Sequence, residues 1–338
     1  MDQNTVWFAI IGILYTGFFV LEGFDFGVGM LMPFLGKKDA ERRAIINTIG
    51  PHWDGNEVWL IAAGGATFAA FPHWYATMFS GFYLAFFLLL MGLIVRGVAF
   101  EFRSKEDDAP WRSRWDLAIF GGSLIPAFLL GVAFANLARG LPIDADMIYS
   151  EGLFYLLNPY SLVGGLFSIS AFLLHGSLFL SLKTTDKVKE RAEGITSRLW
   201  IITLTVFAIF AAYSYIETDF FDNLSWMLLG AGVLAALCLL LTGIFTRGKR
   251  FGMGFLTSAL GIIFMLGAFF MNSYPRVMIS TLNSDWSLTV YNASSSEYTL
   301  GVMAIIAFTT VPIILAYQFW TYRVFRKRIS AEPEDLVY

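Results

Sequence analysis

The chain has 338 residues, of which 57% are hydrophobic, 17% are aromatic and only 14% are charged. A soluble globular protein carries roughly 25% charged residues, so this composition excludes an ordinary cytosolic enzyme, a disordered protein and a nucleic-acid-binding protein. The formal net charge is −3, and the single cysteine, Cys238, excludes an internal disulfide and a cysteine-based metal cluster. The composition is that of a protein with many membrane-spanning segments.

Nine apolar stretches are long enough to cross a hydrocarbon layer of about 30 Å, which takes about 20 residues. In chain order they are residues 6–32, 53–71, 75–95, 117–137, 161–182, 199–216, 226–246, 251–274 and 298–322. Pro126 and Pro312 lie inside the fourth and ninth stretches, where each removes a helical hydrogen bond and is expected to kink the helix. The first stretch is expected to remain in the mature chain, because no Lys or Arg precedes it.

The basic residues are distributed unevenly between the segments that join these stretches. Of the 23 Lys and Arg, all but Arg139 and Arg276 follow odd-numbered stretches, and Arg96 is counted with the loop after the third one. Because Lys and Arg beside spans are retained in the cytoplasm, this pattern predicts an N-terminus outside and a cytoplasmic C-terminus. The sequence thus predicts an all-α protein with a single integral membrane domain over residues 1–338.

Two acids, Glu22 and Asp25, lie inside the first stretch. A charged carboxylate at mid-membrane costs about 2.5 to 3.5 kcal/mol, so such a residue faces protein or water and is a functional candidate. Their spacing of three residues puts both on one face of a helix. Gly23 and Gly27 form a small-xxx-small pattern that allows another helix to approach closely, so we expect the acids to pack against protein. For Asp25 the alternative is a structural hydrogen bond to a neighbouring helix.

A second acid pair, Asp54 and Glu57, opens the second stretch, with His52 and Asn56 beside it. Two consecutive helices would each present an acid pair in the half nearest the cytoplasm, which suits a chain of proton carriers leading in from that side. The alternative is that Asp54 and Glu57 are first-turn acids, which the positive end of the helix dipole favours.

The chain contains three histidines, and histidine is a common axial ligand of haem. His52 and His73 flank the second stretch, so His175 is the one histidine inside a predicted span. It could ligate a single five-coordinate haem, but a hydrogen bond to a neighbouring helix is the commoner role for a lone histidine in that position. We therefore predict neither a cofactor ligand nor a metal ligand in this chain.

Several runs of residues are specific enough to carry a family resemblance. The longest is NTIGPHWDGNEVWL at residues 47–60, and the others are GFDFGVGML at 23–31, FSGFY at 79–83, FRSK at 102–105, GVAFANL at 131–137, LLNPY at 156–160 and VPIIL at 311–315. With these runs the chain resembles subunit II of the cytochrome bd quinol oxidases. The runs cover most of the first half of the chain, and the second half agrees in the number of spans.

The resemblance implies a nine-helix subunit of the bacterial plasma membrane, built as two four-helix bundles, at about residues 6–137 and 161–274, and a peripheral helix at about 298–322. It implies a partner subunit I that holds haem b and haem d, with or without a small single-span subunit. The complex would oxidise ubiquinol or menaquinol, reduce O2 to water and generate a proton-motive force. The family's proposed proton-entry acids fall on Asp25 and Asp54, with Glu22 and Glu57 as flanking members of the same path.

Two other functions fit the same residues. In a secondary transporter or ion antiporter, the acids would bind a cation, although the broken half-helices typical of such proteins are not obvious here. In a purely structural subunit, the chain would stabilise its partner and the acids would carry no protons.

Overall fold

The computed structural model describes residues 2–221, 226–332 and Leu336, and the other positions of the predicted 1–338 domain lie outside the described residues. Within these ranges the chain forms twelve α-helices: α1 (Gln3–Leu35), α2 (Asp39–Ile49), α3 (Trp53–Ala70), α4 (Pro72–Gly81), α5 (Tyr83–Phe102), α6 (Ala109–Arg139), α7 (Leu153–Leu156), α8 (Pro159–Lys183), α9 (Asp186–Glu217), α10 (Trp226–Arg247), α11 (Phe251–Ser273) and α12 (Glu297–Val324). Two short strands, β1 (Arg276–Met278) and β2 (Leu288–Thr289), pair antiparallel between α11 and α12.

Eight helices in the described part of the chain are long and apolar enough to span a membrane, namely α1, α5, α6 and α8 to α12. The predicted second crossing corresponds to α3, which is not among the eight, because the polar residues of its first turns lower its mean hydropathy. Helix α6 continues through Pro126 and α12 continues through Pro312. The apolar pattern of the sequence therefore identified the long helices despite the prolines.

The predicted third crossing, at residues 75–95, is divided between two helices. Helix α4 begins with Pro72, whose missing N–H costs nothing in a first turn, and ends at Gly81, and α5 begins at Tyr83. Helix α5 then continues to Phe102, so Arg96 lies inside a helix and is fully buried. The assignment of Arg96 to a cytoplasmic loop was therefore wrong, because positive charge alone does not distinguish a loop cation from one neutralised inside a bundle.

Helix α1 lies at the centre of the molecule and contacts α3, α6, α8 and α11. The predicted close approach at Gly23 and Gly27 is confirmed, and the approaching helix is α8. A Cβ atom added to Gly27 would lie 2.0 Å from the Phe172 carbonyl oxygen, and one added to Gly23 would lie 2.7 Å from the Phe172 ring. Since no side chain fits at either glycine, α1 packs against the backbone of α8 at Gly27 and against the Phe172 ring at Gly23. This contact fixes the face of α1 that carries the two acids.

Helix α12 packs differently from the other long helices. It contacts α1 and α3, but only 6% of its most apolar window is buried. After it ends, the Lys183 ammonium donates to the carbonyl oxygens of Phe325 and Lys327, and the Ile329 amide donates to the Lys183 carbonyl oxygen at 2.8 Å. These bonds attach the segment that follows α12 to the end of α8.

Ion pairs tie the amphipathic helix α2 to the bundle. Glu41 accepts from both terminal nitrogens of Arg191 at 2.8 Å and from the backbone amides of Lys37 and Lys38. The Arg191 guanidinium and these amides lower the pKa of Glu41 to about 2. The carboxylate of Glu41 therefore stays ionised through the physiological range and holds α2 against α9.

The two arginines that depart from the charge pattern both pair with acids, one at the end of α9 and one just after it. Arg139 donates to Glu217 at 2.8 Å, and Arg276 contacts both carboxylate oxygens of Asp219. Their charges are thus locally balanced.

Candidate functional site

The site is built on the face of α1 that does not contact α8. Glu22 and Asp25 are one helical turn apart there and both are fully buried. An isolated buried carboxylate is costly, so each is expected to have polar partners, and α3 and α5 supply them. We call the group formed by Glu22, Asp25, Asn56, Glu57 and Arg96 the acid cluster.

Arg96 is the cation of the acid cluster. Its Nη2 atom donates to Oε1 of Glu22 and, at 2.8 Å, to Oε1 of Glu57, so one guanidinium joins α1, α3 and α5. The guanidinium carbon lies 4.7 Å from the centre of the Phe26 ring and 5.6 Å from that of Phe100, so both rings pack against it as cation–π partners. The signal for Arg96 in the sequence was a lone cation in the apolar run LIVRGV.

Asn56 connects Asp25 to α12. Its Nδ2 atom donates to Oδ2 of Asp25 at 2.7 Å, and its Oδ1 atom accepts from Tyr322 at 3.0 Å and from Gln318 at 3.3 Å. Tyr322 and Gln318 both belong to α12, about 260 residues away along the chain. These two residues were not predicted from the sequence, since a tyrosine and a glutamine near the end of an apolar helix give no signal of their own.

The two acids of α3 lie in different surroundings. Glu57 belongs to the acid cluster, and 17% of its side chain is exposed. Asp54 lies outside the cluster on the exposed surface of this chain, and its Oδ1 atom accepts from the backbone amide of Gly55 at 2.7 Å. The structure therefore brings together three of the four predicted acids, Glu22, Asp25 and Glu57, and places Asp54 one helical turn from Glu57.

Among the described residues, the acid cluster contains more acids than cations, and several of its polar atoms have no hydrogen-bond partner. Three carboxyl groups surround one guanidinium, which can neutralise only one negative charge. Oε2 of Glu22 and Oδ1 of Asp25 are buried without a hydrogen-bond partner, as are Nε and Nη1 of Arg96. A cluster with surplus acids and unpartnered oxygens can take up a proton, which is the chemistry that this arrangement supports best.

His175 is fully buried between α1 and α11. Its Nε2 atom lies 3.2 Å from the carbonyl oxygen of Val20, which can only accept, so Nε2 carries the hydrogen and Nδ1 accepts from the Ser258 hydroxyl at 2.6 Å. Both ring nitrogens are thus engaged, which fits a structural histidine and leaves no nitrogen for haem iron. Over the described residues, no group of three His, Cys, Asp or Glu side chains could hold a metal ion.

Fold and site together define a multi-pass membrane protein with a buried acid cluster. A family model described as cytochrome bd terminal oxidase subunit II matches residues 3–325. The chain belongs to this family and is therefore a subunit of a respiratory terminal oxidase of the bacterial inner membrane. Membership in this family does not favour the two alternative functions considered above, a secondary transporter and a purely structural subunit.

Individual relatives agree with this assignment along the whole chain. The chain is 46% identical to cytochrome bd ubiquinol oxidase subunit 2 of Bacillus subtilis over 335 residues, which cover 99% of each protein. It is 36% identical to cytochrome bd-I ubiquinol oxidase subunit 2 of Escherichia coli K12 over 363 aligned positions, which cover 97% of this chain and 95% of that protein. The fold matches a chain of the bd oxidase from Geobacillus thermodenitrificans with a TM-score of 0.79 at 18% identity, covering 96% of this chain and 99% of that one.

Proposed function

We propose that this chain carries protons from the cytoplasm toward an oxygen-reducing centre held by its partner subunit. Its relatives are named as ubiquinol oxidase subunits, and we extend to this chain a role in a complex that oxidises quinol, reduces O2 to water and generates a proton-motive force. The haem groups, haem b and haem d, would be held by the partner subunit I. The engaged nitrogens of His175 support this division of labour.

The proposed topology has nine crossings, namely the eight long apolar helices and α3, which is the second crossing in chain order. A helix of 18 residues is about 27 Å long, close to the thickness of the hydrocarbon layer. Moving Arg96 into the bundle leaves the charge asymmetry between the two faces intact, which supports an outer N-terminus and a cytoplasmic C-terminus. In this proposal α1, α3, α5 and α6 form one four-helix bundle, α8 to α11 form the second, and α12 is peripheral.

The proposed path runs from exposed to buried acids. Asp54 is exposed, Glu57 is partly buried, and Glu22 and Asp25 are fully buried. Because Asp54 and Glu57 are three residues apart on α3, a proton can pass along one helix face before it reaches α1. The observation that carries the proposal is the group of three carboxyl groups around the single guanidinium of Arg96.

Asparagine and glutamine variants of the acids in the assembled oxidase test this proposal. We expect Asp25→Asn and Asp54→Asn to leave haem content unchanged and to slow quinol oxidation and proton uptake about tenfold or more, because a carboxamide cannot exchange a proton. The matched control is Glu101→Gln, which alters an exposed acid on the same helix as Arg96. Unchanged turnover in both aspartate variants would overturn the proton path and leave a purely structural role.

A further inference from the structure

A chain of hydrogen bonds with a fixed direction runs from α3 through α12 to Asp25. It begins at the indole nitrogen of Trp59, which lies 3.1 Å from Oε1 of Gln318. An indole N–H can only donate, so Gln318 must point its oxygen at Trp59 and its amide nitrogen toward Asn56. Nε2 of Gln318 lies 3.3 Å from Oδ1 of Asn56, in agreement with this orientation.

The orientation of the Asn56 amide is fixed from its other side as well. Its Nδ2 atom lies 3.5 Å from the carbonyl oxygen of Leu21, which can only accept. The hydroxyl of Tyr322 adds a second donor to Oδ1 of Asn56 at 3.0 Å. Donors on the α12 side and an acceptor on the α1 side therefore require the same amide orientation, in which Nδ2 faces Asp25.

This orientation makes the two oxygens of Asp25 unequal. Oδ2 accepts from Asn56 at 2.7 Å, and Oδ1 is buried without a partner among the described residues. An oxygen that accepts a hydrogen bond at this distance is a poor place for a proton, so Oδ1 is the atom that takes one up. The other ionisable groups around Asp25 are Glu22 from α1, Glu57 from α3, and Arg96 from α5, with Tyr322 from α12.

We infer that Trp59, Gln318 and Tyr322 are positioning residues for proton transfer, and that they act through Asn56 to keep Oδ2 of Asp25 as an acceptor and Oδ1 as the proton-binding atom. The inference builds on the proposed function and assigns a role in it to the peripheral helix. It also gives a role to Gln318 and Tyr322, the two polar side chains that α12 places against Asn56 although little of this helix is buried.

The test uses Tyr322→Phe and Gln318→Met in the assembled oxidase, each of which removes one donor to Asn56. The infrared band of the protonated Asp25 carboxyl is identified as the band that Asp25→Asn abolishes. We expect this band to shift in both variants. We also expect the limb of the pH–turnover profile that depends on Asp25 to move to higher pH by about one unit, since a hydrogen bond to a carboxylate is weakened. Tyr317→Phe is the control, because this tyrosine lies on the same helix and is 64% exposed.

The outcomes separate this inference from the proposed function. An unchanged band and an unchanged pH profile in both variants, with slow turnover in Asp25→Asn, would overturn the positioning role and leave the proton path in place. Normal turnover in Asp25→Asn would overturn the path, while a shifted infrared band in Tyr322→Phe would still support the fixed orientation of Asn56. A variant that lowers expression is replaced by the other, since the two remove different donors to the same oxygen.

Discussion

Gly27 of α1 and Gly176 of α8 face each other with no side chain between them. A Cβ atom on Gly176 would lie 2.6 Å from the carbonyl carbon of Gly27, and one on Gly27 would lie 2.9 Å from the Cα atom of Gly176. Because the nearest atoms belong to the backbone, a rotamer change cannot relieve either clash. This contact sets the distance between the helix that carries the buried acids and the first helix of the second proposed bundle.

Alanine at Gly27 or Gly176 is expected to destabilise the protein. Forcing a methyl group into a packed interior costs about 1 to 3 kcal/mol, and a backbone obstacle puts these sites at the upper end. Thermal unfolding of the purified complex in detergent measures the effect. The control is Gly194→Ala on α9, where an added Cβ meets nothing within 4 Å, so helix propensity should keep or raise stability. Equal melting temperatures for Gly27→Ala and the parent would contradict the close packing.

Removing the cation of the acid cluster is expected to lower the stability of the protein more than removing the cation and one acid together. Arg96→Gln leaves the buried Glu22 and the partly buried Glu57 without their counter-ion, at a cost of about 3 to 5 kcal/mol. In Arg96→Gln/Glu22→Gln one of the stranded charges is gone, so part of the stability should return. The measurement is the unfolding free energy or melting temperature of the four members of this cycle. Strictly additive losses would show that Arg96 and Glu22 do not interact.

The ion pair between Glu41 and Arg191 makes the stability of the folded protein depend on pH in the acid range. The folded protein lowers the pKa of Glu41 from 4.5 to about 2, mainly through the hydrogen bonds from Arg191. A lowered carboxyl pKa gives stability that is complete above the ordinary value and is lost as pH falls from about 4.5 to about 2. Melting temperature should therefore depend less on pH in Glu41→Gln than in the parent over that window. Glu190→Gln is the control, because its partner Lys187 is largely exposed and the pair contributes little.

His175→Gln is expected to leave the haem content of the assembled oxidase unchanged. A glutamine side chain can keep one of the two hydrogen bonds to Val20 and Ser258, so stability should fall modestly, by about 1 kcal/mol for a lost bond. The haem-to-protein ratio and the absorption spectrum of the purified complex check the result, with Ser258→Ala as a control that removes the same bond from the other side. Loss of one haem component in assembled His175→Gln complex would identify this histidine as a ligand.

The long helices could be predicted because their signal is a sum over neighbouring residues. Each apolar side chain adds to the free energy of transfer into a hydrocarbon layer, so a window of residues identifies α8 or α11 without knowledge of any partner. The same sum fails where polar residues are needed inside the protein. It gives α3 a low hydropathy because of Asp54 and Glu57, and it joins α4 to α5 because the break at Phe82 is as apolar as its flanks.

The candidate site was predicted in part, and for a similar reason. Glu22 and Asp25 were identifiable because a carboxylate within an apolar run is costly wherever the run lies. Arg96 was misplaced, and Gln318 and Tyr322 were missed, because their roles depend on partners from other helices.

By itself, the sequence determined that this is a many-helix membrane protein, which family it belongs to, and that carboxyl groups lie within its apolar helices. Composition and local runs of residues are enough for these properties. The free energy of placing an apolar or a charged side chain in a membrane depends first on that side chain itself and not on its distant partners. Only the tertiary structure decided that Arg96 pairs with both Glu22 and Glu57, that Asp54 stays outside the cluster, and that α12 orients Asn56 toward Asp25. Hydrogen bonds and ion pairs act over about 3 Å, so their partners are set by how helices pack across hundreds of residues of chain.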